Sequence, residues 1–143
     1  MPSKLLLKAI TAVNNVVYRA TGGRIGGKFG TLPVVLVTVT GRKTGKRRTL
    51  PLGYLADGDR YVLVASKGGS PTHPAWFLNM MANREVVVRH GRRDQTMVAR
   101  QASAEEKASL WPRLLEIYPP YEDYQKKTTR EIPVVILEPA KKT

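Results

Sequence analysis

The chain contains no cysteine and only two histidines, His73 and His90, among its 143 residues. The first absence excludes disulfides, thiolate metal sites and cysteine nucleophiles. The two histidines lie far apart and lack the spacing of metal ligands, so a zinc enzyme is not expected. Apolar runs are also short, and none approaches the roughly 18 residues that a membrane-spanning helix needs. We therefore expect a cytoplasmic protein without a metal centre.

The rest of the composition is that of an ordinary folded domain. Hydrophobic residues make up 42% of the chain and charged residues 24%. This apolar fraction is large enough for a core and argues against a disordered or low-complexity protein. Apolar residues recur at helical spacing near the start of the chain. We predict an amphipathic N-terminal helix within residues 1–22 and one domain over residues 23–143.

Acidic side chains are missing from the chain before Asp57, which makes the charge strongly uneven. The formal net charge is +13, and ten basic residues precede Asp57. The other 14 basic residues share their part of the chain with all 11 acidic ones. An anionic partner is therefore expected near the N-terminal part: nucleic acid, an anionic membrane surface, or a phosphorylated or carboxylated cofactor. Solubility alone is the other explanation.

The apolar pattern predicts about six antiparallel strands with a few short helices. The strands are expected at residues 34–40, 49–56, 60–65, 85–89, 95–101 and 132–137. The first three follow one another directly, whereas a doubly wound parallel sheet needs a helix between most strands. Helices are expected over 73–82 with Thr72 as the cap, over 103–117 behind a capping box, and over 121–128. The pattern favours a mainly β fold, a small barrel or a curled sheet.

Two cationic loops that contain glycine are candidate anion sites. The first has five cationic residues between Arg42 and Arg48 and joins two predicted strands. Its glycine amides could form an anion-binding concavity, although a solvated hairpin tip has the same sequence. The second, residues 66–69, lies between a predicted strand and a predicted helix. Its glycines would let a ligand approach the backbone, although an ordinary turn also fits. Together the two loops could hold one phosphorylated ligand.

Three tyrosines form a further candidate site. Tyr118, Tyr121 and Tyr124 are spaced by three residues, so a helical segment would place them on one side. Such a wall could stack on a flat ring and offer phenol hydrogen bonds. Core packing explains the same spacing.

Several motifs follow one another in a distinctive order. They are VTVTGRKTG at residues 37–45, SKGG at 66–69, PAWFLN at 74–79, YPPYEDY at 118–124 and IPVV at 132–135. In this order they resemble the deazaflavin-dependent nitroreductase family, the F420-dependent reductases of the split β-barrel type. The resemblance covers roughly residues 25–139 and implies a split β-barrel fold.

The resemblance also implies a cofactor and a reaction. The cofactor is coenzyme F420, a polyanion with a deazaflavin ring, a phosphate and an oligoglutamate tail. Its reduced form would donate a hydride to quinones, activated enones and lactones, or nitroaromatics. The implied cofactor-binding residues are Lys43, Arg48, Pro51, Ser66, Lys67, Gly68, Gly69, Pro74, Trp76 and Asn79. Tyr118, Tyr121 and Tyr124 match positions that shape the substrate pocket, and the hydroxyls of Ser66 and Tyr124 are the candidate catalytic groups.

One departure and two alternatives accompany this interpretation. Gly53 lies where some relatives carry an aromatic residue, so the pocket is expected to be open there and nitroimidazole activation is not expected. An FMN- or heme-binding split barrel is a related alternative. A nucleic-acid-binding basic barrel is another, but no aromatic residue interrupts the run from Arg42 to Arg48, and nucleic acid is not the expected partner. Peripheral membrane contact of the N-terminal helix is an additional hypothesis.

Overall fold

The structure, a computed structural model, describes residues 28–29 and 32–140. The strands are β1 (Lys28–Phe29), β2 (Leu32–Thr40), β3 (Arg47–Gly53), β4 (Leu55–Asp57), β5 (Arg60–Val64), β6 (Glu85–His90), β7 (Arg93–Gln101) and β8 (Val134–Pro139). The helices are α1 (Ala75–Ala82), α2 (Ala104–Ile117) and α3 (Pro120–Lys126), with a 3-10 turn at Lys67–Gly69. The predicted N-terminal helix and the boundary at residue 22 lie outside the described residues. Within the described part, no helix is long and apolar enough to cross a membrane.

One antiparallel sheet contains all eight strands. Its order is β1-β2-β6-β7-β8-β5-β4, and β3 pairs with β2 as well. β3 and β4 follow each other along the chain but pair with opposite ends of the sheet, β3 with β2 and β4 with β5. The sheet therefore curls without closing, and no strand pairing joins β3 to β5 in the described residues. This split matters because it opens the barrel beside the loop that follows β5.

The strand count is higher than predicted because the expected strand over residues 49–56 is two strands. At Tyr54, whose amide donates to the Pro33 carbonyl at 3.0 Å, the chain leaves β2. It then pairs with β5 as β4. Pro51 lies in β3, which pairs only with β2 in the described residues, so the other edge of this strand tolerates a residue without an amide donor. The remaining addition is the two-residue strand β1.

Alternation along β5 and β8 builds two cores on the two faces of the sheet. Leu63 and Val135 point into the barrel, where α1 adds Phe77 and Met80. Their neighbours along the strands point outward toward α2 and α3, where Leu110, Leu114 and Tyr121 cover them. Successive side chains of a strand point to opposite faces, so strands buried on both sides must be apolar throughout. Burial on both faces of the sheet therefore explains the apolar run of β8.

The helix boundaries follow local chemistry. The predicted capping box is confirmed: the Glu106 amide donates to Ser103 Oγ at 3.1 Å, and the Ser103 amide donates to Glu106 Oε1 at 3.0 Å. α2 ends at Ile117, as predicted. The prediction for α1 is wrong at its start, because Pro74 rather than Thr72 is the N-cap. A residue that precedes proline is disfavoured in the helical region, which excludes His73 from the helix.

Candidate active site

A cleft of about 270 Å³ opens at the split between β3 and β5. It brings together eight of the residues singled out from the sequence, although they come from three distant segments. These are Pro51, Ser66, Lys67, Gly68, Trp76, Tyr118, Tyr121 and Tyr124. Leu32, Leu52, Gly53, Leu63 and Val64 complete the lining. The cleft therefore combines a polar loop with an aromatic wall.

The loop after β5 presents unpaired amide groups. Ser66 has a right-handed conformation, and Lys67, Gly68 and Gly69 follow with positive φ angles of 44°, 63° and 84°. The Gly69 and Ser70 amides donate to the carbonyls of Ser66 and Lys67 at 2.9 and 3.1 Å. The amides of Ser66, Lys67 and Gly68 have no hydrogen-bond partner among the described residues. Successive free amides at a right-handed to left-handed junction form a concavity suited to an anion.

Gly69 fixes this loop against α3 and does not line the cleft. A Cβ at Gly69 would lie 2.7 Å from the carbonyl oxygen of Tyr124 and 3.0 Å from the Lys127 Cβ. Only glycine permits both this approach and the positive φ. The second glycine of the SKGG motif therefore joins the anion-suited loop to the helix that carries Tyr121 and Tyr124.

The three tyrosines form one contiguous wall. The ring centroids of Tyr118 and Tyr121 lie 4.8 Å apart, those of Tyr121 and Tyr124 6.4 Å apart, and the hydroxyls of Tyr118 and Tyr124 are 3.3 Å apart. Burial raises the pKa of Tyr121. The hydrogen bond with Tyr118, followed by burial, raises the pKa of Tyr124. Both phenols therefore keep their protons at neutral pH, and Tyr124 can donate a hydrogen bond into the cleft. Tyr121 also belongs to the core, so core packing explains part of the spacing, and all three tyrosines line the cleft.

Ser66 offers a second hydroxyl at the cleft. The residue is only 9% exposed, and its carbonyl accepts from the Arg130 guanidinium at 2.8 Å. Its hydroxyl has no hydrogen-bond partner in the described part of the chain. Buried polar groups normally have partners, so an open hydroxyl at the edge of a cleft suits contact with a ligand.

The other predicted residues lie outside the cleft lining. Asn79 is buried, and its side-chain oxygen accepts from the Arg42 amide at 3.1 Å and the Arg42 guanidinium at 2.7 Å. It therefore holds the turn between β2 and β3. Trp76, one turn earlier on α1, lines the cleft, which places the cationic turn and the cleft along one helix face.

Lys43 and Arg48 are exposed and make no ion pair with the described residues. Pro74 caps α1.

Gly53 does not leave the pocket open, contrary to the expectation from the sequence. A Cβ at this position would overlap the Leu32 side chain, which is itself 5% exposed and lines the cleft. Leu32 therefore fills the space that a larger residue at position 53 would occupy. Leu32 lies in β2 and Gly53 in the neighbouring strand β3. No local sequence pattern indicates that one residue fills the space beside the other.

Arg130 is the residue that the sequence analysis missed. Its guanidinium donates to the carbonyls of Ala65, Ser66 and Ser70, at the base of the loop beside the cleft. These partners precede it by 60 to 65 positions, so spacing gave no signal. Its place two positions before the IPVV motif was the nearest available indication.

The model of the F420H(2)-dependent quinone reductase family matches residues 11–139. The chain belongs to this family. The resemblance stated from the motifs is therefore confirmed, and the chain is an oxidoreductase. An F420H(2)-dependent quinone reductase of Mycobacterium tuberculosis, strain H37Rv, is 40% identical over 129 residues, covering 87% of each protein.

Solved structures agree with this membership. A structure described as an F420-H2 dependent reductase (FDR-A) has a TM-score of 0.68 and 46% identity, covering 74% of this chain and 94% of its own. Another, described as a domain-swapped dimer, has a TM-score of 0.71 and 38% identity, covering 92% and 98%. Heme- and FAD-binding proteins at 9% and 12% identity share the split-barrel-like fold alone. The predicted fold class is confirmed.

Proposed function

We propose that this quinone reductase family member binds reduced coenzyme F420 at the cleft and uses it to reduce quinones. The observation that best supports this proposal is the cleft. At the split of the barrel, backbone amides with no partner in the described residues lie beside a wall of tyrosines. The β2–β3 turn, which carries exposed cations, is attached through Arg42 to Asn79 on α1, the helix whose Trp76 lines the cleft. Each of these features could bind a different part of a cofactor that is flat, phosphorylated and polyanionic.

The residues fit the chemical parts of F420. The amides of Ser66, Lys67 and Gly68 and the cation of Lys67 would hold the phosphate, since such a concavity favours anions. Lys43 and Arg48 would bind the glutamate tail, because neither has a carboxylate partner in the described residues. Pro51 and Trp76 would border the ring, and Asn79 would contribute by fixing the turn. When bound, the reduced deazaflavin supplies a hydride.

The tyrosines would orient the acceptor and complete the reduction. A flat quinone against this wall would be shielded from water on one side and held for transfer. The Tyr124 hydroxyl keeps its proton, because its hydrogen bond with Tyr118 and its burial raise the Tyr124 pKa. It would donate a hydrogen bond, and then the proton, to the acceptor oxygen as negative charge develops there. Ser66, which also lines the cleft, would be the second donor.

The range of acceptors is a finer part of the proposal. Quinones and activated enones share a carbonyl oxygen that gains negative charge during reduction, which suits a phenol donor. We expect quinone or enone reduction to be physiological, lactones to be further acceptors and nitroaromatic reduction to be incidental. Leu32 restricts the cleft beside Gly53, so bulky acceptors should react more slowly than flat ones.

A titration tests the function directly. Purified protein should quench or shift F420 fluorescence on binding, and reduced F420 should be oxidised only when menadione is added. FMN, which lacks the oligoglutamate tail, serves as the comparison ligand and should bind more weakly. Absence of F420 binding at low salt, or a bound flavin or heme in the purified protein, would overturn the proposal. Binding of single-stranded DNA with steep salt dependence would favour the nucleic-acid alternative instead.

Membrane contact is a separate part of the proposal. A lipid-soluble quinone would be reached most easily if the segment 1–22 lay on a membrane surface, while the catalytic domain remained in the cytoplasm. Liposome flotation of the full chain, compared with a chain lacking residues 1–22, tests this. If the full chain does not float with anionic vesicles, the contact is excluded.

A further inference from the structure

Arg130 closes the base of the loop that borders the cleft. Its Nη2 donates to the Ser66 carbonyl at 2.8 Å and its Nε to the Ser70 carbonyl at 2.7 Å. Its Nη1 donates to the Ala65 carbonyl at 3.2 Å. One guanidinium thus spans both ends of the loop. We propose that Arg130 is a positioning residue that aims the loop amides at the cofactor phosphate, an inference that rests on the function proposed above.

The peptide groups themselves transmit this effect. The carbonyl of Ala65 shares a peptide plane with the Ser66 amide, and the carbonyl of Ser66 shares one with the Lys67 amide. No peptide bond in the described residues is cis, so each carbonyl and its amide point in opposite directions. A cation bound to the two carbonyls therefore fixes the two amides away from itself. It also polarises them, because hydrogen bonds in a chain strengthen one another.

The loop needs such a clamp because its conformation is unusual. Lys67 is the only non-glycine residue with positive φ in the described part of the chain. Residues in this region of φ persist where the surrounding structure holds them. The planar fork of an arginine can bind several carbonyls at once in a fixed geometry, which the single ammonium of a lysine cannot do.

The hydrogen-bond partners of the Arg130 guanidinium are backbone carbonyls and a histidine ring. Besides three carbonyls, the guanidinium meets His73 Nδ1 at 3.2 Å, and no carboxylate pairs with it among the described residues. Burial lowers the pKa of Arg130, because removal from water costs the charged form free energy. An anion on the other side of the loop would offset this cost.

Arg130 is also fixed relative to the tyrosine wall. Gln125, on α3, donates from Nε2 to the Arg130 carbonyl at 2.9 Å and accepts from the Ile132 amide at 3.0 Å. The same helix packs on Gly69. The clamp therefore sets the distance between the loop that would hold the phosphate and the tyrosines that would hold the acceptor.

The test compares two ligands in two variants, Arg130→Gln and Arg130→Lys. The ligands are F420 and the deazaflavin fragment that lacks the phosphate and the tail, with affinity measured by fluorescence. In Arg130→Gln we expect about 30-fold weaker binding of F420 and less than about threefold change for the fragment, since the loop amides that would donate to the phosphate are no longer held in place. Arg130→Lys keeps the charge but not the fork, so about tenfold weakening of F420 is expected.

Arg113→Gln is the control, because Arg113 likewise donates to a backbone carbonyl but pairs with the Asp57 carboxylate and lies outside the cleft lining. Circular dichroism confirms that each variant is folded, and Arg130→Lys decides the question if Arg130→Gln does not fold. Equal weakening of both ligands, or no weakening of F420, overturns the inference. Failure of the unmodified protein to bind F420 would instead overturn the proposed function, so the two failures are distinguishable.

Discussion

The protein uses positive charge in two opposite ways in two regions. On the outer surface every arginine of one network meets a carboxylate. Arg100 donates to Glu106 at 2.7 Å and to Glu138 at 2.8 Å, and Arg60 pairs with Asp57. These hydrogen bonds raise the pKa of Arg100 and lower the pKa of Glu106 to about 2. This outer network is satisfied within the fold.

Around the cleft the same residue types have no carboxylate partner in the described residues. Lys43 and Arg48 are exposed, Lys67 contacts only Thr72 Oγ1 at 3.2 Å, and Arg130 binds carbonyls. The difference shows that charges of one kind are paired within the fold and others are not, and under the proposed function the unpaired charges would bind the anionic cofactor. Changes in the two regions should therefore affect different measurements.

The largest effect should follow loss of the unpaired charge. We expect Lys43→Ala with Arg48→Ala to weaken F420 binding about 100-fold, because each contact to an anionic group is worth about 1.5–3 kcal/mol. Thermal stability should not change. The control is Arg92→Ala with Arg93→Ala, which removes the same charge from the turn between β6 and β7 and from the first residue of β7. Fluorescence titration measures the affinity of both double variants for F420. If both lose the same affinity, net charge alone explains the effect and the position of the charges does not matter.

The next effect concerns the joint between the loop and α3. Gly69→Ala should destabilise the fold by about 2 kcal/mol, since the new Cβ meets a backbone oxygen and the φ of 84° is strained for alanine. Gly58→Ala is the matched control, with a φ of 62° and no atom within 4 Å of the added Cβ. Urea unfolding measures both. If the two variants lose equal stability, only φ matters and the close approach does not.

Removing one phenol should slow the reaction without weakening the cofactor. For Tyr124→Phe we expect kcat with menadione to fall about tenfold, less than the full effect of a general acid because the Tyr118 hydroxyl remains nearby. F420 affinity should stay within twofold of its original value, about the scatter of such titrations. Tyr61→Phe is the control, since its hydroxyl contacts His90 away from the cleft. A lower F420 affinity with unchanged kcat would contradict the proton-donor role.

The smallest effect is a pH dependence confined to the outer network. The Glu106 pKa is about 2 in the folded protein, below its ordinary value, chiefly because of the hydrogen bond with Arg100. Its contribution is therefore complete above about pH 4.5 and is lost as the pH falls toward 2. The side chain is 32% exposed, so Glu106→Gln should cost only about 1 kcal/mol at pH 7.

Denaturant titrations of the original protein and Glu106→Gln from pH 7 to pH 2 test this. The difference in their free energies of unfolding should shrink on acidification, while F420 affinity at pH 7 stays equal. A difference that is independent of pH would show that the ion pair between Glu106 and Arg100 does not carry the effect.

Local chemistry predicted the elements well. The β-branched run of β2 and the capping box of α2 depend on neighbouring residues, so they were found within two residues of their true bounds. The break at Tyr54 was missed, because a change of pairing partner from β2 to β5 leaves no mark on the strand itself.

The sequence predicted the residues whose motifs face the cleft. It did not predict the residues that hold those motifs in place. Ser66 and Tyr124 lie at the cleft, as expected. Asn79 holds a turn, and Arg130 and Leu32 depend on contacts across the sheet that spacing cannot reveal. Residues of this kind are identified by their three-dimensional contacts, which only the structure shows.

The position of β8 has a consequence for how the chain folds during synthesis. It is the last strand of the described residues, yet it lies between β7 and β5 in the middle of the sheet. While the ribosome has not yet released residues 134–139, the edges of β5 and β7 have no neighbour and neither core can be completed. Such late, long-range pairing makes folding slow and exposes strand edges to aggregation. The cleft is thus among the last features to form, and a chain interrupted before β8 would have no binding site at all.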